Sequence, residues 1–264
     1  MLVVAERLNA TRKPVAEALR KRDKVFIRDE VRRQVEAGAN FLDVNTALSP
    51  KEERDLMIWA VETIREATDT PPAIDTANPE AARAGLERVP KGSALLNSIS
   101  GETERLEKML PLVSEFGTKV VVLAMDDAGM PNSNEDRWRA LERIFQATDA
   151  AGVPREHIFV DPLVRPLATN PEQVVQVLDM IREIQAKGGG AGTIVGLSNI
   201  SFGLPARHLL NRMFLAMAAG AGLTAAILDP LEPGMAAAVL AANALRGDDP
   251  YCMKYIGAHR EGRL

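Results

Sequence analysis

Eight times along the chain a short apolar run gives way to small polar or acidic residues, and these residues are the ones that could do chemistry. Leu2–Ala5 leads to Glu6, Arg7 and Asn9. Phe41–Val44 ends at Asp43 and Asn45, and Pro72–Ile74 at Asp75, Thr76 and Asn78. Ala94–Leu96 leads to Asn97, Ser98 and Ser100, Lys119–Met125 to Asp126 and Asp127, and Ile158–Val160 to Asp161-Pro162. Thr193–Leu197 leads to Ser198, Asn199 and Ser201, and Ala225–Leu228 to Asp229-Pro230. The set is rich in Asp and Asn and poor in Lys and His. Gathered in one place it suits a neutral heterocycle rich in N–H groups, held by carboxylates that accept paired hydrogen bonds. It does not suit a phosphate, which wants Arg, Lys or backbone nests.

Taken singly, an Asp or Asn after a strand is often only a helix cap or a turn residue. Asn78, Ser100 and Asp127 read that way. For Asp75, Asn97 and Asp161 both readings stay open: apolar residues precede each, and no cation is evident beside Asp75 or Asp161. Other features read as structural. Gly188-Gly189-Gly190-Ala191-Gly192 precedes a strand, whereas a phosphate cradle follows one and opens a helix. His157, His208, His259 and the single Cys252 show no metal-ligand spacing, so no metal site is expected. No Lys stands at the carboxyl end of a strand, as a Schiff-base enzyme would need, and no Gly-x-Ser-x-Gly elbow is present.

The elements that must position these residues alternate in type. Between the apolar runs lie amphipathic segments of helix length. They are Pro50–Thr68, Glu102–Glu115, Asp136–Ala150, Pro171–Gln185 and Arg207–Ala219, the last closed by Gly220 and Gly222. Ser49-Pro50, Asn78-Pro79 and Asn170-Pro171 each place a capping residue before Pro at the first helical position. Gly38, Gly117 and Gly152 follow helical stretches as stop signals. Eight strands separated by helices imply a parallel sheet with right-handed crossovers. At 264 residues the length fits a closed (β/α)8 barrel, a TIM barrel, as a single domain over 1–264, with an open doubly wound sheet as the alternative. In a barrel, the polar strand ends converge on one mouth.

Composition narrows the partners. Net charge is −4 with mixed signs, which points away from nucleic acid. One cysteine fits a reducing cytoplasm, and no signal peptide is expected because Glu6 interrupts Leu2–Ala5 at once. The most apolar window, Met213–Leu228, is interrupted by Gly220, Gly222 and Thr224. It is shorter than the ~20 residues of a membrane span, so no membrane association is expected. It reads as a buried helix end plus a buried strand.

The sequence GLSNISFGLP (Gly196–Pro205), with Arg207, Asn211-Arg212 and Phe214-Leu215-Ala216, resembles the pterin-binding methyltransferases. These include the methyltetrahydrofolate:corrinoid methyltransferases and the folate domain of cobalamin-dependent methionine synthase. AERLNATR (Ala5–Arg12), LDVNTA (Leu42–Ala47), IDTANP (Ile74–Pro79), LLNSIS (Leu95–Ser100) and VDPL (Val160–Leu163) extend the likeness in order over nearly the whole chain. The chain looks closer to the folate-side enzymes of O-demethylase and glycine betaine systems.

The resemblance implies a TIM barrel of the pterin-binding type, usually a homodimer. It implies methyl transfer between N5 of (methyl)tetrahydrofolate and the cobalt of a corrinoid, in the direction of tetrahydrofolate within a demethylation pathway. Asp75, Asn97 and Asp161 match residues that hydrogen-bond the pterin ring. Asn199 matches the amide that reaches N5, and Gly196 and Ser198 match residues lining the pocket. Arg207 matches a folate-proximal basic residue. Phe202 departs from the polar residue carried by the corrinoid/iron–sulfur branch and could instead cover the ring. The cobalamin is expected on a partner protein, because no Asp-x-His-x-x-Gly segment occurs here. The alternatives are a dihydropteroate synthase-like pterin enzyme and a folate-binding subunit without catalysis.

Overall fold

The structure, a computed structural model of residues 1–264, is an eight-stranded barrel in which every strand is parallel to its neighbours. The strands are β1 (Leu2–Asn9), β2 (Phe41–Asn45), β3 (Pro72–Asp75), β4 (Leu95–Gly101), β5 (Lys119–Asp126), β6 (Ile158–Asp161), β7 (Gly192–Gly196) and β8 (Ala225–Leu228). They lie in sequence order, and β1 closes on β8 through Leu2↔Ala225 to Ala5↔Leu228. The closed alternative therefore holds and the open sheet does not.

Helices α1 (Lys13–Lys21) and α2 (Lys24–Glu36) lie between β1 and β2. They are followed by α3 (Glu53–Arg65), α4 (Pro79–Leu86), α5 (Thr103–Phe116), α6 (Asn134–Ala150), α7 (Gln173–Lys187) and α8 (Arg207–Ala221) in the later crossovers. After β8 come α9 (Met235–Leu245) and α10 (Met253–Arg260). Outward strand residues such as Leu42, Ile74, Leu96 and Val122 pack with helix residues such as Met57, Ile64 and Ile144 in the main core, all essentially inaccessible. Burial of this layer is the chief stabilising force. Inside the barrel, Val4, Phe41, Ala73, Leu95, Val121, Phe159, Ile194 and Ala225 form a second cluster with one residue from each strand. This plug is the floor on which the mouth is built.

Several sequence-based boundaries shift for local reasons. Asn78 caps α4 as expected, accepting from the backbone N–H of Glu80 and Ala81. Asn170 accepts from Glu172 N at 3.0 Å, so it forms a turn, and α7 starts later, at Gln173. Ser49 spends its hydroxyl on the Glu52 carboxylate at 2.7 Å, and α3 starts at Glu53. That start is set by tertiary contact, since the buried Glu53 carboxylate receives Thr76 Oγ1 and Asn78 Nδ2. Gly117 caps α5 in the left-handed region at φ 60°. Gly220 lies within α8, which ends instead at Gly222 (φ 109°). The end of α8 is buried on one face only: Ala218, Ala219 and Ala221 are buried while Met213 and Met217 are about half exposed, and β8 is buried as expected.

Candidate active site

Strand alternation decides which polar residues enter the barrel. Stepping by two from each residue of the plug reaches Glu6 on β1, Asp43 and Asn45 on β2, Asp75 on β3 and Asn97 on β4. It reaches Leu123 and Met125 on β5, Asp161 on β6, Gly196 on β7, and Ile227 and then Asp229 at β8. Most of these polar residues lie inside the last residues of the strands rather than just past them. Pairing sets them level: Asp75 is opposite Asn97, Leu123 opposite Asp161, and Gly196 opposite Ile227. The mouth thus has carboxylates and amides around most of its wall and apolar side chains at β5.

Two amide–carboxylate pairs organise one side. Asn45 Nδ2 donates to Asp75 Oδ2 at 3.0 Å, and Asn97 Nδ2 donates to Asp43 Oδ1 at 3.1 Å. Each pair orients a carboxylate and leaves its remaining lone pairs for a ligand. On β6, Asp161 Oδ1 accepts from Leu163 N at 2.8 Å, in a turn where Leu163 itself takes a left-handed φ of 65°. No three His, Cys, Asp or Glu side chains converge closely enough to hold a metal ion.

Four of the inward carboxyls, Glu6, Asp43, Asp75 and Asp161, hold their protons more tightly than usual. Burial pushes Asp161 up to about 6, against backbone N–H bonds from Leu163 and Gly196 and the charge of Arg137. Burial raises Asp43 well above the usual range, with Asp75 and Glu6 adding repulsion and Asn97 opposing it. Burial raises Asp75 too, opposed by the Asn45 bond and by Arg105. Glu6 is raised by burial and then by Asp229, opposed by a hydrogen bond from Ser198. Two cations therefore stand near carboxylates for which the sequence shows none. Arg105 reaches over from α5 to bond the Ser98 carbonyl at 3.0 and 3.2 Å. Arg137 is fully buried and donates from Nε to the Pro162 carbonyl at 2.7 Å. Both arrive from helices distant in sequence, and neither bonds the carboxylate directly.

After β7 the wall becomes a 3-10 turn, Leu197–Ser201, carrying Ser198 and Asn199. Asn199 is exposed, and its side chain lies back over Gly196. A Cβ added to Gly196 would sit 3.0 Å from Asn199 Nδ2, so glycine is what permits the approach. Phe202 is 65% exposed on the following loop. Arg207 begins α8 and binds that loop, donating from Nε to Ser201 Oγ at 3.0 Å and from Nη2 to the Ser198 carbonyl at 2.7 Å. Its guanidinium carbon lies 5.9 Å from the Phe202 ring centroid.

The structure therefore gathers Asp75, Asn97, Asp161, Gly196, Ser198 and Asn199 at one mouth, with Phe202 and Arg207 on its rim. Asn78, Ser100 and Asp127 are structural, as expected: a cap, a hydroxyl donating to Glu102, and an acceptor for Thr103 and Arg143. Glu6, Asp43 and Asn45 belong to the mouth although the sequence marks them only as strand-end residues. Their period-two spacing from Val4 and Phe41 was the available signal.

Comparison with known proteins bears on the family and the fold. Residues 5–229 match the family of pterin binding enzymes. The chain is 33% identical over its full length to a methylcorrinoid:tetrahydrofolate methyltransferase of Eubacterium limosum, covering 98% of that protein. It is 31% identical over 86% of its length to the methionine synthase of Mycobacterium leprae, of which it spans 20%. Among solved structures, a Yersinia pestis dihydropteroate synthase with a bound pterine-sulfa conjugate superposes with a TM-score of 0.69 at 19% identity, covering 93% of this chain and 94% of that one. A Xanthomonas albilineans dihydropteroate synthase gives 0.70 at 20% identity, covering 93% and 92%. At that identity these structures share the barrel and no more. By the family match over most of its length and the full-length relative, the chain belongs to the pterin-binding enzymes.

Proposed function

We propose that this protein transfers a methyl group between N5 of (methyl)tetrahydrofolate and the cobalt of a corrinoid carried by a separate protein. One observation carries the reading: a ring of inward carboxylates and amides, with no cation bonded to Asp75 or Asp161, on a chain resembling an enzyme of that name from end to end. Asp75, Asn97 and Asp161 take the N–H-rich edge of the pteridine, which restores the partners that burial denies them. Gly196 and Ser198 line the ring's side. Asn199, exposed over Gly196, faces N5. Phe202 and Arg207 stand where the rest of the folate leaves the mouth.

In the direction of tetrahydrofolate, N5 attacks the methyl carbon of a methyl–Co(III) corrinoid. The N5–C bond forms as the Co–C bond breaks, the bonding pair stays on cobalt as Co(I), and the charged N5 releases its proton to solvent. Orientation of N5 is most of what the protein supplies. In reverse, the tertiary amine must gain positive charge as the methyl leaves, and a hydrogen bond from Asn199 that strengthens at that moment lowers the barrier. We infer that the protein works after a demethylating enzyme that loads the corrinoid, as in O-demethylation, and in the cytoplasm, a location supported by a chain with one cysteine. No helix is long and apolar enough to cross a membrane.

The protein acts as a single barrel domain and pairs with a second copy. The pairing reading is supported by α8 and α9, which leave Leu209, Met213 and Leu245 exposed along an apolar groove of about 660 Å³, with Met217 exposed elsewhere on α8. In α9 (MAAAVLAANAL) only Met235, Val239 and Ala242 are buried, so most of an apolar helix is only partly buried. Met213→Glu with Met217→Glu should give a monomer by light scattering. A net charge of −4 with mixed signs argues against nucleic acid as a partner. Dihydropteroate synthesis fits less well, because Arg207, the cation after β7, has Nε and Nη2 engaged by its own loop, and the residue that follows β8 is an acid, Asp229.

The test is spectroscopic. Mixed with tetrahydrofolate and a methylated corrinoid protein, the enzyme should convert the methyl–Co(III) spectrum to that of Co(I). An unchanged spectrum, with turnover of a pterin pyrophosphate and p-aminobenzoate instead, would overturn the reading.

A further inference from the structure

Beneath the loop that carries Ser198 and Asn199 runs an unbroken line of hydrogen bonds. Arg207 Nε donates to Ser201 Oγ at 3.0 Å, Ser201 Oγ donates to Asn211 Oδ1 at 2.7 Å, and Asn211 Nδ2 donates to Glu232 Oε2 at 3.1 Å. Every bond points the same way, from a guanidinium to a carboxylate, so each donor polarises the next. The line joins the turn after β7, the first turns of α8, and the loop after β8 that begins with Asp229. Ser201 and Asn211 are buried, at 0% and 2% exposure, so a broken link has no water to replace it. Glu232 Oε1 is itself buried without a partner, which leaves the contact with Asn211 as the hydrogen bond that orients this carboxylate.

The consequence reaches the mouth through Arg207. Its second arm holds the Ser198 carbonyl at 2.7 Å, one residue before Asn199, whose amide lies over Gly196. A guanidinium that loses its Ser201 partner swings on its stem, and the carbonyl it holds moves with it. The residue at 211 must accept from Ser201 and donate to Glu232, and among side chains of its length only an amide does both. We infer that Asn211 and Glu232 are positioning residues that hold Asn199 at N5. The inference rests on the methyl-transfer reading above.

A charge swap separates positioning from mere structure. Asn211→Asp sets two carboxylates against each other in a buried site. With Glu232→Gln added, the new carboxylate accepts from Ser201 and from the new amide at 232, so the line closes again. Methyl-transfer rate at saturating tetrahydrofolate, tetrahydrofolate Kd by calorimetry and Tm are measured for wild type, both single variants and the double variant. In the Glu232 background, N211D should slow transfer by roughly 100-fold, the scale of a 1 Å misplacement, with Kd changed by less than about threefold. In the E232Q background the same substitution should cost less than about threefold, a coupling that a double-mutant cycle isolates. An equal cost in both backgrounds, no cost in either, or a Kd that rises in step with the lost rate overturns the inference. Failure of the underlying reading looks different: the wild type itself then transfers no methyl group, and the inference goes with it.

Discussion

From β3 to β6 the mouth is lined by side chains rooted in strands, whereas from β7 to β8 it is lined largely by loops. Asp75, Asn97 and Asp161 each stand two residues above a member of the plug, and the first two lie opposite each other in register. Asn199 and Phe202 are exposed and belong to a turn and a loop held by Arg207. The difference assigns the work. A ring gripped by the strand side meets geometry that the whole barrel enforces. A reaction that admits a second protein needs its reacting amide on the open side, and the loop provides that access at the cost of needing a latch.

The strongest way to break this division is at Asn199. Asn199→Ala should cut methyl transfer by roughly 10²–10³, the loss expected for one stabilising donor, and leave tetrahydrofolate Kd within about threefold. Rapid-mixing absorbance and calorimetry read the two quantities separately. Equal losses in both would erase the distinction between gripping and reacting sides. Next come the strand residues: Asp75→Asn and Asp161→Asn should weaken tetrahydrofolate by about 10- to 100-fold, because a buried acceptor meets donors with a mismatched group. Unchanged affinity in both would mean the ring sits elsewhere.

Asp161 sharpens the comparison further, since function and stability should oppose each other there. Its folded value of about 6 lies above the ordinary 3.8, so the folded state binds the proton more tightly. Stability contributed by the protonated form is present at low pH and is lost as pH rises through about 4 to 6. At neutral pH the ionised group costs on the order of 3 kcal/mol. Asp161→Asn should therefore raise Tm at pH 7 while weakening binding, and the gain should vanish near pH 4. A ligand that donates N–H groups favours the ionised carboxylate, so tetrahydrofolate affinity in the wild type should fall as pH drops below about 6, by up to tenfold per pH unit for one proton. A flat profile from pH 5 to 7.5 would contradict this. The smallest effect is expected at Phe202: Phe202→Ala should change tetrahydrofolate Kd by less than about fivefold, since a side chain left 65% exposed contributes little desolvation.

Much of this was legible in the chain. Eight apolar runs, each ending in polar residues, specify a closed parallel barrel, and the likeness over Gly196–Pro205 points to a pterin site. What escaped has physical causes. The inward facing of Glu6, Asp43 and Asn45 depends on parity within a strand, and β1 and β2 run past Ala5 and Val44 to Asn9 and Asn45. Arg105 and Arg137 come from α5 and α6, so their nearness to Asp75 and Asp161 is tertiary. The starts of α3 and α7 follow contacts of Glu53 and the Asn170 turn rather than the nearest Pro. Met213 and Met217 looked like core because an apolar helix face carries no mark of what covers it.

The most direct measurement is a crystal structure with tetrahydrofolate bound. The pteridine should lie within hydrogen-bond distance, ~3 Å, of Asp75, Asn97 and Asp161 together, with N5 turned toward Asn199 and open to solvent. A pteridine bound away from these strand ends, or with N5 buried against β3 and β4, would contradict the account.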